Sequence, residues 1–299
     1  MVNTYDDKIK EFLNNYLKQI EEYFSTLHEP VYCDALFYYG SIFTGLEIHF
    51  KKAIEGLVSS HPAANKPTTL IIILNTPGGY AETIEKIVDI IRFHYANIYF
   101  IVPDAAMSAG TIFCMAGDKI FMDYSSSLGP IDPQVQLGDK MVPALGYLDQ
   151  FNVLVQKSRD NTITPVEFAI AKDQDLALLR AYQQQLDLTV TLLKRWLVEY
   201  KFKDWATHGT DAAKLGQPVT QAEKIARAGE IAIKLGDNTK WHTHGRYINI
   251  DTLKNDIRLK IEDYTTTPLR EKITNYNDFV LEHIRRNNLL AFIHTKFYF

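Results

Sequence analysis

The chain has 299 residues, of which 46% are hydrophobic, 23% charged and 12% aromatic, and its formal net charge is −4. Fifteen Gly and eleven Pro are too few for a disordered or collagen-like chain, and the length supports one large or two smaller domains around a substantial core. The mild negative charge speaks against a broad basic face for nucleic acid, so no nucleic-acid partner is expected.

Residues 1–7 are polar and acidic, without a signal-peptide pattern. The longest apolar run, Leu70-Ile71-Ile72-Ile73-Leu74, is strand-sized, far below the ~18 residues of a membrane span. A cytoplasmic protein without a membrane span is expected. Residues 5–27 carry Ile9, Phe12, Leu13, Tyr16, Leu17, Ile20, Phe24 and Leu27 in steps of three and four, an amphipathic helix for the body or for another subunit. Residues 35–41 read as a short strand, and Leu46, Phe50, Ile54 and Leu57 mark a helix. Residues 61–67 form a polar, Pro-bounded loop. Residues 69–74 are a continuous β-rich run, as for a strand buried on both faces. Thr76-Pro77-Gly78-Gly79 breaks it, and Ile84, Ile87, Val88 and Ile91 stripe the next helix. A strand over 98–102, a loop of small residues over 104–109, an apolar helix over 111–116 and a strand over 119–122 follow. This alternation predicts crossover units and a mostly parallel sheet.

After Tyr124 the texture changes. Residues 125–133 form a Ser/Gly/Pro-rich loop. From Thr164-Pro165, an N-cap and first helical position, a long helix is predicted to about residue 201, with Leu179, Tyr182, Leu186, Val190, Leu193 and Leu197 on one face. Shorter pieces follow: a helix over 221–234, a segment over 241–250 and a helix over 268–286. The apolar tail, Leu289 to Ile293 and Phe297 to Phe299, is expected in a subunit interface. The resulting division is an N-terminal helix (1–30), a core with the long helix (31–210) and a C-terminal helical extension (211–299). Cys33 and Cys114 lack any Cys-x-x-Cys spacing and read as two buried thiols.

Two small-residue elements directly follow two adjacent strands: Asn75-Thr-Pro-Gly-Gly79 and Ala105-Ala-Met-Ser-Ala-Gly-Thr111. Loops at the carboxyl ends of parallel strands line the binding crevice, so both should meet at one edge. A Gly-Gly turn lets the backbone approach a ligand. A Ser at a tight strand-to-helix junction exposes its Oγ, and the next N–H points the same way. Two convergent N–H groups beside a hydroxyl make a nucleophile with an oxyanion hole, here Ser108 with the N–H groups of Gly79 and Ala109. Alternatively, Ser108 caps the helix after it. Ala106 departs from the Gly of a G-x-S-x-G elbow.

At these residues the chain resembles a known family. LNTPGGYAETIEKIVDIIR, MSAGT and GDKIFMDYSSSLGPIDPQ are similar to the Clp-protease/crotonase superfamily, and within it to the serine dehydrogenase proteinases, relatives of signal peptide peptidase. The match covers about 70–134, with a weaker one over 241–250. The resemblance implies a ββα spiral core with N- and C-terminal helical additions, self-association, and serine peptidase activity without a metal. It places the nucleophile at Ser108 and the oxyanion donors at Gly79 and Ala109. The His that serves as base in Clp peptidases is absent, because Ile131-Asp132-Pro133 occupies its slot. The serine dehydrogenase proteinase order of Ser, Asp and His makes Asp132 the orienting carboxylate and a later His the base. Trp241-His-Thr-His244 matches the group's C-terminal motif best, which selects His244; Trp205-Ala-Thr-His208 makes His208 a rival. Signal peptide peptidases use a Ser–Lys dyad, and Lys157 sits in a comparable place in a polar setting.

His242 and His244 would share one face of a strand, but no carboxylate or Cys is spaced to complete a metal site, so neither metal nor cofactor is expected. The leading function is an ATP-independent serine peptidase acting on peptides or unfolded segments as a homo-oligomer. No P-loop motif occurs, so any unfoldase would be a separate protein. Two other functions fit the same fold: a non-catalytic peptide-binding or assembly scaffold, and a crotonase-type acyl-CoA enzyme.

Overall fold

The computed structural model describes residues 4–62, 66–137, 140–210 and 212–299. The first three residues and positions 63–65 of the expected polar loop lie outside them. In chain order the first part comprises α1 (Thr4–Ser25), β1 (Cys33–Gly40), α2 (Leu46–Ser59), β2 (Thr69–Asn75), α3 (Ala81–His94), β3 (Asn97–Val102), β4 (Ala105–Ala106), α4 (Ala109–Met115), β5 (Lys119–Met122) and β6 (Ser127–Leu128). A hairpin of β7 (Gln134–Leu137) and β8 (Lys140–Pro143) leads into α5 (Ala144–Arg159), α6 (Pro165–Lys172) and α7 (Leu176–Trp196), which ends in a π-helical turn, Leu197–Lys201. The remainder is α8 (Gln221–Gly236), α9 (Asn238–Trp241), β9 (Ile248–Asn249), α10 (Ile250–Thr252), a second π-helical turn (Leu253–Ile257), β10 (Glu262–Asp263), α11 (Leu269–Arg286) and β11 (Ala291–His294).

The main sheet has six strands in the order β10-β5-β3-β2-β1-β11. All neighbours are parallel except β11, which lies antiparallel on β1 at the edge. Successive side chains of a strand face opposite sides, and both sides are covered. Leu70, Ile72 and Leu74 of β2 join Leu36, Phe100 and Val102 in a core shared with α2, α3, α4, α7 and α8. Ile71 and Ile73 join Phe37, Tyr99 and Ile101 in a second core under α1 and α11. The amphipathic face of α1, carrying Leu13, Leu17, Ile20 and Phe24, therefore packs on its own sheet, beside α11. This double coverage explains the unbroken apolar run of β2.

Beyond the carboxyl ends of the main strands runs a second row of short pairings. Ile42 bridges Gly79, Thr76 bridges Ala106, β4 pairs with β6, and β6 pairs antiparallel with β9. Each unit thus reads as a long strand, a short strand of this second row, and a helix. The mixed α/β core expected from the sequence repeats in this way. Strands of two residues have no room for a hydrophobic period, so β4 and β6 fall inside segments that read as loops, and β9 inside the unassigned segment over 241–250.

Other departures have local causes. The long helix expected over 164–201 is two helices. Asp173 closes α6, and Asp175 caps α7 by accepting from the N–H groups of Ala177 and Leu178. The hairpin and α5 lie in a stretch without a clear periodic signal; among the buried residues of α5 only Ala144 is found. The segment holding His242 and His244 is not a strand: His242 is left-handed (φ 63°) after α9. The apolar tail is not reserved for an interface, because β11 completes its own sheet, although Leu290 remains 91% exposed. Both cysteines are free and buried. No helix among the described residues is long and apolar enough to cross a membrane.

Candidate active site

The site is built where β2 and β3 end. The chain leaves β2 through Thr76 and Pro77 into two glycines with φ of 105° (Gly78) and 148° (Gly79). A Cβ at Gly79 would lie 1.9 Å from the Ile42 carbonyl oxygen, and one at Gly78 would lie 2.7 Å from the Ser108 Cβ. Both the dihedral and the approach require glycine. The Ile42 N–H donates to the Gly78 carbonyl (2.8 Å) and the Tyr80 N–H to the Ile42 carbonyl (3.0 Å). The N–H of Gly79 itself faces away from that pairing. The Gly78 N–H donates to Thr76 Oγ1 at 3.0 Å.

The second loop is stitched to the first. Thr76 N–H donates to the Ala105 carbonyl and Met107 N–H to the Thr76 carbonyl, each at 2.9 Å. Ser108 then turns the chain into α4 with φ 53° and ψ −116°. A non-glycine residue there carries strain on the order of 1–3 kcal/mol, which persists only where its surroundings over-determine it. The strained strand-to-helix turn exposes the hydroxyl, as at a nucleophile elbow. Ser108 makes no capping hydrogen bond, so the capping alternative lacks its bond. Among the described residues, the N–H groups of Gly79 and Ala109 also have no hydrogen-bond partner. Thr111 ties the floor together: its Oγ1 donates to the Ala106 carbonyl (2.8 Å) and accepts from the Gly129 N–H (2.9 Å).

Asp132 and His244 come together through the pairing of β6 with β9. Asp132 follows β6, and the Ile131 N–H is held by the Leu235 carbonyl of α8 at 3.1 Å. His244 precedes β9 in a loop anchored at its start by Trp241, whose buried indole donates to the Lys234 carbonyl at 2.8 Å. Asp132 is 1% exposed. Its Oδ1 lies 2.9 Å from His244 Nδ1, and its Oδ2 accepts from Gln134 Nε2 at 2.9 Å. A carboxylate on Nδ1 fixes the tautomer and leaves Nε2 as the free base nitrogen. Gln134 carries no signal of its own in the sequence, although it lies two residues beyond Asp132 in the same motif.

Ser108, Gly79, Ala109 and His244 line one cleft of about 600 Å³. Ile112, Ile131 and Leu188 give it apolar walls, and the exposed Phe43 and Tyr80 also line it. The rival bases are elsewhere. His208 is buried, packs edge-on against Trp205 and faces Glu223 Oε1 at 3.3 Å. Lys157 lies in α5 and is paired with Glu167, not loose in solvent. Neither lines the cleft. Among the described residues, no group of three or more His, Cys, Asp or Glu side chains is arranged to hold a metal ion.

A family profile described as "ClpP-like SDH-type serine proteinase" matches residues 36–254, well over half of the chain. The chain belongs to this family. The match spans β1 through the second π-helical turn and so includes every element that lines the cleft. Two uncharacterized proteins of Methanocaldococcus jannaschii are similar to this chain. One is 33% identical over 154 residues (50% of this chain, 48% of the relative), and the other 32% identical over 142 residues (46% and 44%). The chain spans about half the length of these curated relatives. Among solved structures, a mutant of the 1510-N membrane-bound stomatin-specific protease matches with a TM-score of 0.46 at 14% identity, covering 82% of this chain and 86% of that one. A ClpP1 mutant from Listeria monocytogenes matches with a TM-score of 0.40 at 14% identity, covering 79% and 94%.

Proposed function

We propose that the protein is a serine peptidase that works through an acyl-enzyme on Ser108, without metal or ATP. The observation that carries this reading is the Asp132–His244 pair, 2.9 Å apart, opening on the same cleft as a strained Ser108 whose hydroxyl makes no capping bond. His244 Nε2 takes the Ser108 proton as Oγ attacks the peptide carbonyl. The Gly79 and Ala109 N–H groups receive the developing oxyanion, a contribution usually worth orders of magnitude in rate. Asp132 holds the imidazole and stabilises its protonated form, and His244 then returns the proton to the leaving amine. Water, activated by the same His, releases the acid.

The cleft suits a short or unfolded segment. The backbone of Gly79, which faces away from Ile42, offers an edge on which an extended peptide can add as a strand, beside the exposed Tyr80 side chain. Self-association belongs to the same proposal.

The test is fluorophosphonate labelling of purified protein with mass-spectrometric site mapping, alongside hydrolysis of an unfolded protein. Wild type should be labelled at Ser108, and Ser108→Ala and His244→Ala should lose both signals. His208→Ala and Lys157→Ala should keep them. An unlabelled, folded wild type overturns the peptidase reading. Peptide binding unchanged in Ser108→Ala would then favour a scaffold, and thermal stabilisation by CoA thioesters an acyl-CoA enzyme.

A further inference from the structure

The elements carrying Gly79, Ser108 and Asp132 share one polar junction, with Asn75 and Asn277 buried and Asp104 at its exposed rim, and its central residue comes from the C-terminal helix. Asn277 of α11 is 5% exposed. Its Oδ1 accepts from Asn75 Nδ2 at 2.8 Å, and its Nδ2 donates to Asp104 Oδ2 at 2.9 Å. The ring closes where the Asp104 N–H donates to Asn75 Oδ1 at 3.2 Å. Asn75 is the last residue of β2, directly before Thr76-Pro77-Gly78-Gly79. Asp104 directly precedes β4 and the Ser108 turn. The Asp104 carbonyl in turn accepts from the Ser127 N–H at 2.8 Å, at the start of the strand that leads to Asp132.

We propose that Asn277 is a positioning residue for the active site: its carboxamide clamps Asn75 to Asp104 and so fixes the Gly79 N–H relative to Ser108. The proposal rests on the serine-peptidase reading. Asn277 lies beyond the family match at 36–254, so the C-terminal extension supplies part of the site's geometry. A carboxamide suits the task because it is donor and acceptor at once. It meets an amide donor on one side and a carboxylate on the other. Replacing it by an apolar group leaves Asn75 Nδ2 without its acceptor in a buried place, and such a group either costs stability or pulls the loop toward water. The Ser108 turn stores strain, so a loosened loop has a direction in which to relax.

The test compares wild type with Asn277→Leu, Asn277→Asp, and Asn277→Asp combined with Asp104→Asn. The Asn277→Asp variant sets two carboxylates against each other. The double variant restores the ring with donor and acceptor exchanged, because the carboxamide introduced at position 104 can donate to the carboxylate introduced at position 277. The readouts are the fluorophosphonate labelling rate of Ser108, kcat and KM on a peptide substrate, and amide hydrogen exchange of residues 76–80 and 105–110, all well below the melting temperature. Both single variants should lose labelling rate and kcat by roughly ten- to a hundredfold, the scale of a small misplacement of reacting groups. KM should stay within about threefold, exchange in the two loops should accelerate, and the double variant should recover most of the loss. Unchanged loop exchange in the single variants overturns the clamp. Accelerated exchange with wild-type labelling, or a double variant that recovers stability but not labelling, reduces Asn277 to a structural residue and overturns the positioning role. If wild type itself is not labelled, the peptidase reading fails; the exchange data on Asn277→Asp and its double variant then decide the clamp.

Discussion

Ser108 holds a backbone conformation that an ordinary serine avoids, and two neighbours explain how. Gly78 leaves no room for a Cβ against it, and α4 begins directly after it. Gly79 is the more sensitive of the two glycines. Any side chain there meets the Ile42 carbonyl at 1.9 Å, which is backbone and cannot swing away. Gly79→Ala should therefore break the Ile42 pairing, turn the N–H away from Ser108 and reduce labelling by at least about a hundredfold, the scale seen on losing an oxyanion donor. Circular dichroism should show the main sheet intact; labelling near the wild-type rate would remove Gly79 from the oxyanion hole. Asp132→Asn probes the other half. The new amide can donate to His244 Nδ1 and so move the ring proton to Nε2, the nitrogen that accepts from Ser108 in the proposed mechanism. The rate should fall by about 10⁴-fold with the fold retained, as on the same change in a serine-protease triad. Retained activity would remove Asp132 from the mechanism.

Among the elements, the loop between α9 and β9 depends on one anchor. Trp241 packs in the main core, and its Nε1–H is satisfied by the Lys234 carbonyl. Trp241→Phe keeps much of the apolar packing and strands that carbonyl. Stability should fall by about 1–3 kcal/mol, read from urea unfolding, and labelling should fall because His244 loses its fixed approach. Equal labelling at equal folded fraction would show that Asp132 alone orients the imidazole. The same loop shows where the sequence was legible. The turns after β2 and β3 follow long apolar strands, so their convergence could be read from strand-helix alternation. The approach of His244 to Asp132 is made by β6 and β9, two residues each, and joins positions 112 apart in the chain. No periodicity marks such strands, and only the resemblance pointed to these two residues. The break between α6 and α7 was readable in principle, because Asp175 is a good N-cap and the apolar face of α7 starts only at Leu179. Asn277 carried no signal at all: on an amphipathic helix, a buried Asn is visible only once its partners are.

Across the whole molecule, the end of β1 remote from the cleft holds a second polar centre that ties together both chain ends. Asp34 is fully buried, and its carboxylate meets His61 Nε2, Lys296 Nζ and Tyr95 Oη, each at 2.8 Å. Glu21 of α1 accepts from the Ala35 N–H at 3.0 Å and lies 4.0 Å from Lys296. Burial pushes the Glu21 carboxyl up to about 7; Lys296 opposes the change and Asp34 adds to it. A carboxyl whose folded value lies above its unfolded one binds more protons in the folded state. Its contribution is therefore complete below about 4.5 and is lost as pH rises through about 7. Glu21→Gln keeps an oxygen for the Ala35 N–H and removes the titration. Groups remote from Glu21 cancel, so the difference between the two stability curves reports Glu21 together with its coupling to Asp34, His61 and Lys296. Relative to Glu21→Gln, wild type should lose on the order of 2–4 kcal/mol between pH 4.5 and 8, at about 1.4 kcal/mol for each pH unit separating the folded and unfolded values. Urea unfolding at half-unit pH steps measures it. Parallel curves would mean that Glu21 ionises in the fold as easily as in the open chain. The cross-link between α1 and the residues after β11 would then be an ordinary ion pair with Lys296, and not a protonated carboxyl held by burial.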